Sequence, residues 1–351
     1  MYRKPTNSDV ARLAGVSEAT VSRALAGKLC VRAETRARVI TAAKKLRYVP
    51  NVAARTLASG VGRTIGVVFP DSRDAVFLEG IHTIISRAAS DGYETIVRFA
   101  PLQPGGDTVA VRALAAFQVA GILAMFSAGD DERRRIVRWA RDQSMPLVGI
   151  AGIPFAIGDH IAVDYEHVYR RLFEGVLGDG LRRVAAVLSQ TYAKTALSEL
   201  VRQQWDAAVR SMSVSDAELA VLEIQVGTDD AQNALQSLQA RWRTPFAIVA
   251  PASLVIGDLI RGASKTNLRI PNDLVLAGGL HWMHAGYSGS RNAWCIDWSI
   301  DLIARIALQH LRRLISDGYV GEQVSTVVKP RIVRLGELET EASEGPVTVL
   351  A

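Results

Sequence analysis

The stretch Asp9-Val-Ala-Arg-Leu-Ala-Gly15-Val-Ser17-Glu-Ala-Thr-Val-Ser-Arg23 decides how this chain is read. Ser8 and Asp9 precede Val10, Leu13 and Ala14, whose i, i+3, i+4 spacing forms the apolar stripe of a short helix. Gly15-Val16-Ser17 makes a tight connection, and Ser17 stands as the N-cap of a second helix carrying Val21, Ala24 and Leu25 on one face. A third helix is predicted over Glu34–Leu46, with Val39, Ala42, Ala43 and Leu46 turned inward. Two helices joined by a short turn containing glycine have the composition of a helix-turn-helix.

Charge is divided along the same line. Residues 1–63 hold thirteen Lys and Arg against three acidic residues, net +10, while the other 288 residues carry 28 basic and 32 acidic side chains, net −4. A basic segment at one end points to a negatively charged partner, with a solvated basic face as the plain alternative. Of the 351 residues, 49% are hydrophobic and 22% charged, which excludes a disordered or fibrous protein. No run reaches the roughly 18 apolar residues of a membrane span, and the first residues lack the apolar core of a secretory signal. Cys30 and Cys295 are too few and too far apart for a disulfide framework. The expectation is a soluble cytoplasmic protein without a membrane partner.

From about Thr64 short apolar runs alternate with longer amphipathic stretches: Ile65–Phe69, Phe77–Ala89, Thr95–Phe99, Val109–Phe117, Ile122–Phe126, Ile136–Ala140 and Leu147–Ile150. A second set comprises Val184–Leu188, Leu200–Val209, Leu219–Val226, Phe246–Ala250, Leu254–Ile260 and Leu274–Ala277. Strands alternating with helices imply parallel sheets covered on both faces. The length exceeds one comfortable core, so two α/β lobes are expected, with any ligand at the carboxyl ends of strands in the cleft between them. Between the two regions, Pro50 turns the preceding residue away from helix, and Asn51 can cap a short helix through Ala58. About eight residues cannot hold a helix alone in water, so a partner must order it, either DNA or a second copy of the segment. The expected division is a headpiece over 1–49, a hinge over 50–62, a core over 63–336 and a flexible tail over 337–351.

Asp9-Val-Ala11, Ala14-Gly15-Val16-Ser17 and Thr20-Val21-Ser22-Arg23 are similar to the headpiece of the LacI/GalR family of bacterial repressors. So are Thr35-Arg36, Val39, Ala42-Ala43, Leu46-Arg47-Tyr48, Pro50-Asn51, Ala54 and Leu57, in order and without a gap. The core continues the family layout with Thr64-Ile65-Gly66-Val67, Asp71, Gly80-Ile81 and Gly92-Tyr93. The resemblance implies an all-α helix-turn-helix headpiece on an α/β core like that of the periplasmic sugar-binding proteins, with two doubly wound lobes. It further implies a homodimeric regulator, a repressor, on a pseudo-palindromic double-stranded DNA operator, with a small-molecule effector in the interlobe cleft. The tail has no leucine heptads that would favour a tetramer.

The family position of Glu18, Ala19 and Arg23 is the base-reading start of the second helix. Arg23 can fork onto guanine O6 and N7, Ala19 can touch a thymine methyl, and Glu18 can accept from cytosine N4. A capping or salt-bridge role for Glu18 stands equally beside that. Ser17, Thr20, Ser22, Thr35 and Asn51 suit phosphate oxygens, which position without specifying. Arg32 stands where the family usually has serine, exchanging a helix cap for a phosphate contact. The resemblance gives Leu57 the role of the leucine that each subunit inserts into the minor groove, with Ala54 among the small residues that let paired hinge helices approach.

The chain departs from the family in the cleft. The arginine that grips sugar hydroxyls, four residues before an aromatic, aligns with Val201 ahead of Trp205, and Arg202 replaces it only if the helix turns by about 100°. Pro251-Ala252 stands for the usual Asn-Asp, and Gly278-Gly279-Leu280 for an expected aspartate. The candidate cleft set is therefore Asp71, Asp74, Phe77, Arg202, Trp205, Leu280, Trp282 and Trp294, with His281, His284, Tyr287 and Trp298 nearby. Asp71 and Asp74 are equally explained by surface solvation, and the tryptophans by core packing. The effector is then sugar-like or, being less hydroxylated, aromatic; the alternatives are a closed pocket and an effector-independent DNA binder, or a sugar-binding protein without regulatory role. His281-x-x-His284 has ligand spacing but no carboxylate or thiol to complete a set, so neither metal nor cofactor is expected. No phosphate loop is present, and Gly286-Tyr287-Ser288-Gly289 misses the nucleophile-elbow spacing, so no catalysis is expected.

Overall fold

The computed structural model describes residues 5–25, 30–48, 62–127, 129–152, 158–190, 195–279, 292–318 and 323–335. The chain divides into two compact units, residues 1–63 and 64–351. Residues 50–61 of the expected hinge and the whole expected tail lie outside the described residues.

The first unit contains helices α1 (Asn7–Ala14), α2 (Glu18–Leu25) and α3 (Ala33–Lys45). Helix α1 begins before the expected start. Thr6 is its N-cap, and Asp9, three residues on, returns a hydrogen bond to the Thr6 N–H at 2.9 Å in a capping box. Gly15, at φ +65°, ends the helix in the left-handed region that glycine adopts without steric cost. Val10, Ala11, Ala14, Val21, Ala24, Val31, Val39, Ala42 and Ala43 form its core, with Leu25 and Leu46 half-buried at the margin. Leu13, expected inward, is 45% exposed instead, because the buried stripe of α1 runs through Val10, Ala11 and Ala14.

In the second unit the first lobe is built from β1 (Thr64–Pro70), α4 (Ala75–Ser90), β2 (Glu94–Ala100), α5 (Gly106–Ala116), β3 (Ile122–Ala124), α6 (Asp130–Asp142), β4 (Leu147–Gly152) and β5 (Asp159–Val163). The chain then passes to a second lobe made of α7 (Tyr165–Gly178), β6 (Arg183–Ser189), α8 (Thr195–Ser211), β7 (Glu218–Ile224), α9 (Asp230–Arg241), β8 (Phe246–Ala250), α10 (Ser253–Lys265), β9 (Leu274–Gly278) and β10 (Trp294–Asp297). It returns for α11 (Ile300–Asp317) and β11 (Ser325–Val328), and crosses once more to β12 (Arg331–Arg334). The sheets run β11-β5-β4-β3-β1-β2 and β12-β10-β9-β8-β6-β7. All neighbours are parallel except β12, which pairs antiparallel to β10. These are two doubly wound lobes.

Why strands form here follows from burial on both faces. In β1, Ile65, Val67 and Phe69 meet α4 and α11, while Val68 meets α5 and α6 on the other side. In β6, Ala185 and Val187 face α9 and α10, and Val184, Ala186 and Leu188 face α7 and α8. Gly66 admits Leu114 of α5, whose Cδ1 would lie 2.8 Å from an added Cβ. Buried polarity is paired: the Asp159 carboxylate accepts from His310 Nε2 at 3.0 Å and from the Val324 N–H at 2.9 Å. Burial pushes the Asp159 pKa upward, but those hydrogen bonds and nearby positive charge outweigh it and hold the carboxyl below its ordinary value. Among the described residues no helix is long and apolar enough to cross a membrane.

Candidate nucleic-acid interface and interlobe cleft

The headpiece presents its second helix outward. Val21 and Ala24 anchor α2 in the core, which leaves Glu18, Ala19 and Arg23 exposed and Ser22 half-buried. Ala19 and Arg23 are one turn apart on the same row. Ser17 caps the helix: its Oγ accepts from the Thr20 N–H at 3.2 Å and lies 2.9 Å from Thr20 Oγ1. Arg23 makes no ion pair among the described residues, so its guanidinium is available to a partner. The Glu18 carbonyl accepts from Asn7 Nδ2 at 3.2 Å, tying the start of α2 back to α1.

At the start of α3, Arg32 occupies the N-cap position and makes no side-chain capping bond, and Thr35 is half-buried in the first turn. The free N–H groups there point outward with the positive end of the helix dipole, a ready place for a phosphate oxygen. Asn51, Ala54 and Leu57 lie outside the described residues.

Three crossings join the lobes: at Asp164, at Trp298-Ser299 and at Lys329-Pro330. Tyr165 and Trp298 meet at the first two, ring centroids 6.0 Å apart, and each packs against the cores of both lobes. Beside them Asp164 accepts from the His167 N–H at 2.8 Å. Burial lowers the His167 pKa against the pull of Asp164, so the imidazole is neutral at pH 7. Ser299 stands at φ +53° with a buried hydroxyl that has no hydrogen-bond partner among the described residues.

The expected cleft residues separate. Asp71 follows β1 and is exposed, its N–H donating to the Ala100 carbonyl at 2.8 Å. Phe77 packs on Phe69, 6.1 Å between centroids. Arg202 is exposed on α8 while Val201 is fully buried, so the helix has not turned to bring the arginine into Val201's place. Trp205 is buried edge-on against Phe173 at 5.3 Å in the second lobe's core. Trp294 stands at the amino end of β10, away from the carboxyl ends that form the cleft. It packs over Gly175, donates to Asp179 Oδ2 at 3.0 Å, and carries Arg334 3.7 Å above its ring. Both tryptophans are packing residues. Leu280, His281, Trp282, His284 and Tyr287 lie outside the described residues.

Two features were not legible in the sequence. Asp74 is only 5% exposed and reaches Ser253, the first residue of α10, across the cleft. Gly278, at φ +126°, and Gly279 lie flat against the β8–α10 turn: a Cβ on Gly279 would sit 2.1 Å from the Pro251 carbonyl oxygen. Two of the three residues that stand for the expected aspartate are thus pressed against backbone, and the third, Leu280, lies outside the described residues. Gly279→Asp, which would place a carboxylate in this turn, is therefore expected to destabilise the core by about 2 kcal/mol or more, seen as a melting point lower by several degrees. An unchanged melting point would show that the turn has room.

The family model for "Bacterial regulatory proteins, lacI family" matches residues 6–51. Catabolite control protein A of Staphylococcus xylosus is 28% identical over 268 residues, covering 76% of this chain and 79% of its own. The HTH-type transcriptional repressor PurR of Vibrio vulnificus is 28% identical over 277 residues, covering 78% and 81%. In fold, the chain is similar to the lac repressor dimer bound to operator and the anti-inducer ONPF, with TM-score 0.78 and 20% identity over 95% of this chain and 99% of that one. These relatives are regulators by name, and none of them is named as an enzyme.

Proposed function

We propose that the chain is a DNA-binding transcriptional regulator of the LacI family, a cytoplasmic repressor acting as a homodimer on a pseudo-palindromic operator. The observation that carries the reading is the outward row of Glu18, Ala19 and Arg23 on a capped second helix, beside the uncapped start of α3 at Arg32. Base contacts fall to Glu18, Ala19 and Arg23; phosphate contacts to Ser17, Thr20, Ser22, Arg32, Thr35 and Asn51. Residues 1–49 are the headpiece, 50–62 the hinge, 63–336 the core and 337–351 a tail.

The second copy docks on the first lobe. Leu78 and Ile85 stand one above the other on the outer face of α4, 54% and 40% exposed, and Phe99 and Leu102 are exposed at the end of edge strand β2. An apolar helix face beside an unpaired sheet edge is a surface that a twofold partner covers with its own copy of the same patch. The hinge helices then meet at one DNA step, where Leu57 enters the minor groove and the small Ala54 lets the paired helices approach.

Selection of binding sites from a random duplex pool, followed by sedimentation of the complex, tests this reading. An inverted repeat bound by two chains supports it; a single half-site bound by one chain overturns it. On the selected duplex, Leu57→Ala is expected to weaken specific binding much more than non-specific binding. Equal loss on both would remove the wedge role.

The core is proposed to modulate DNA affinity through a small molecule in the interlobe cleft. Val201, Pro251-Ala252 and Gly278-Gly279 leave few groups to pair with sugar hydroxyls, which favours an aromatic or otherwise less hydroxylated effector. Gly279's backbone contact also favours a second reading, a core that dimerises the headpieces and binds no effector. A thermal-shift screen of the full chain against sugars, sugar phosphates, nucleosides and aromatic acids separates the two, since a ligand at 100 times its dissociation constant adds roughly 2.7 kcal/mol.

A further inference from the structure

Asp74 closes the turn between β1 and α4 in the first lobe, and Ser253 opens α10 in the second. The Ser253 N–H donates to Asp74 Oδ2 at 3.1 Å and its hydroxyl to Oδ1 at 2.6 Å, while Oδ1 also accepts from the Val76 N–H at 3.1 Å. The two residues are 5% and 3% exposed. One carboxylate thus serves the amino ends of two helices in two lobes, of 16 and 13 residues. The positive ends of both dipoles converge on a single negative charge. Hydrogen bonds to an ionised carboxylate out of water are among the stronger ones a side chain makes.

The position gives this contact leverage. The crossings lie at the β5 and β10 side of the sheets, whereas Asp74 follows β1, three strands from β5, and Ser253 follows β8, two strands from β10. At about 4.8 Å per strand the contact stands some ~10–14 Å from the crossings. Crossings alone leave the lobes free to rotate about one edge; a second attachment at this distance removes that freedom. Ser253 is itself held in place, because Gly279 donates its N–H to the Ala250 carbonyl at 2.8 Å and packs directly on the turn before α10.

We propose that Asp74 and Ser253 form a built-in clasp that keeps the two lobes closed in the absence of any ligand. A side chain of the protein occupies the bridging role that a cleft ligand's polar groups would otherwise have. The closed core is then the resting state, and what changes with conditions is the opening of the clasp. This goes beyond the regulatory reading and does not depend on DNA binding.

The test uses the full chain with Cys30→Ser and spin labels at Gln143→Cys in the first lobe and Met212→Cys in the second, diluted with unlabelled chain so that distances within one chain are read. The parent is expected to give a single distance. Ser253→Ala, which leaves the Val76–Asp74 cap untouched, is expected to add a longer distance as the closed-to-open ratio falls about tenfold. Asp74→Asn, which keeps a capping side chain on α4, is expected to do the same, and the double variant to open no further than the single ones. One unchanged distance in both single variants overturns the clasp, as does a parent that already shows both distances. Either result leaves the DNA-binding reading standing, because no measurement here involves DNA.

Discussion

Val39→Asp is expected to abolish specific DNA binding while the core stays folded. Val39 is fully buried on α3 and touches the small cluster through which α1 and α2 are held. A carboxylate there has no partner, and burying it unpaired costs several kcal/mol. A domain of this size rarely has more than about 3–5 kcal/mol in hand, and among the described residues the buried members of this core are alanine and valine, with the larger Leu25, Leu46 and Tyr48 only partly buried. The headpiece therefore unfolds as a unit, α2 loses the support that presents Arg23, and specific affinity falls by about 10³-fold or more. The core keeps its four hydrophobic clusters, all within residues 64–351, so its melting transition stays where it was. Ile40→Ser, one residue along the same helix but 39% exposed, is expected to change stability by no more than about 0.5 kcal/mol. Calorimetry of the full chain together with a binding isotherm checks both. Specific binding by Val39→Asp within tenfold of the parent would mean that the cluster does not hold α2.

The contrast between headpiece and cleft explains what the sequence can disclose. In the headpiece the determinants are local: the turn at Gly15, the cap at Ser17 and the 3.6-residue rows of α2 lie within a few residues of one another. Helix period and turn chemistry place Arg23 outward without knowledge of anything distant. The strands whose two faces are both covered, such as β1 and β6, also declare themselves as continuous apolar runs. Strand β5 does not, because its first two residues, Asp159 and His160, are polar, and it takes the distant His310, Val324 and Ser325, beside the local Gly158 carbonyl, to make them buriable. In the cleft the decisive facts are contacts between residues far apart in sequence. Asp74 reads equally as a cleft carboxylate and as a solvated surface one, and its role as a bridge appears only when Ser253, 179 residues away, is placed against it. For Trp205 and Trp294 the sequence leaves binding and core packing both open, and only Phe173 and Gly175 beneath them decide for packing.

Arg23→Ala and Arg32→Ser are expected to fail in different ways, and the difference measures how the interface divides its work. Arg23 is exposed on the row of α2 that faces outward and forms no ion pair among the described residues, so its loss removes a fork onto a base edge. Affinity for the selected site then falls by about 1–3 kcal/mol, discrimination at one base pair is lost, and binding to random duplex changes little. Arg32 instead stands at the N-cap of α3 without capping it. Serine there supplies the missing cap and stabilises the headpiece by about 1 kcal/mol, yet it removes a cation from the place where the α3 dipole draws a phosphate. Binding to every sequence should weaken alike, and the slope of log affinity against log salt should become shallower by about 1. A more stable headpiece that binds all DNA more weakly is an outcome that damage to the fold cannot imitate. If instead Arg32→Ser changes preference among sequences while Arg23→Ala lowers all affinities alike, the two arginines have exchanged roles, and α2 does not lie in the groove as proposed.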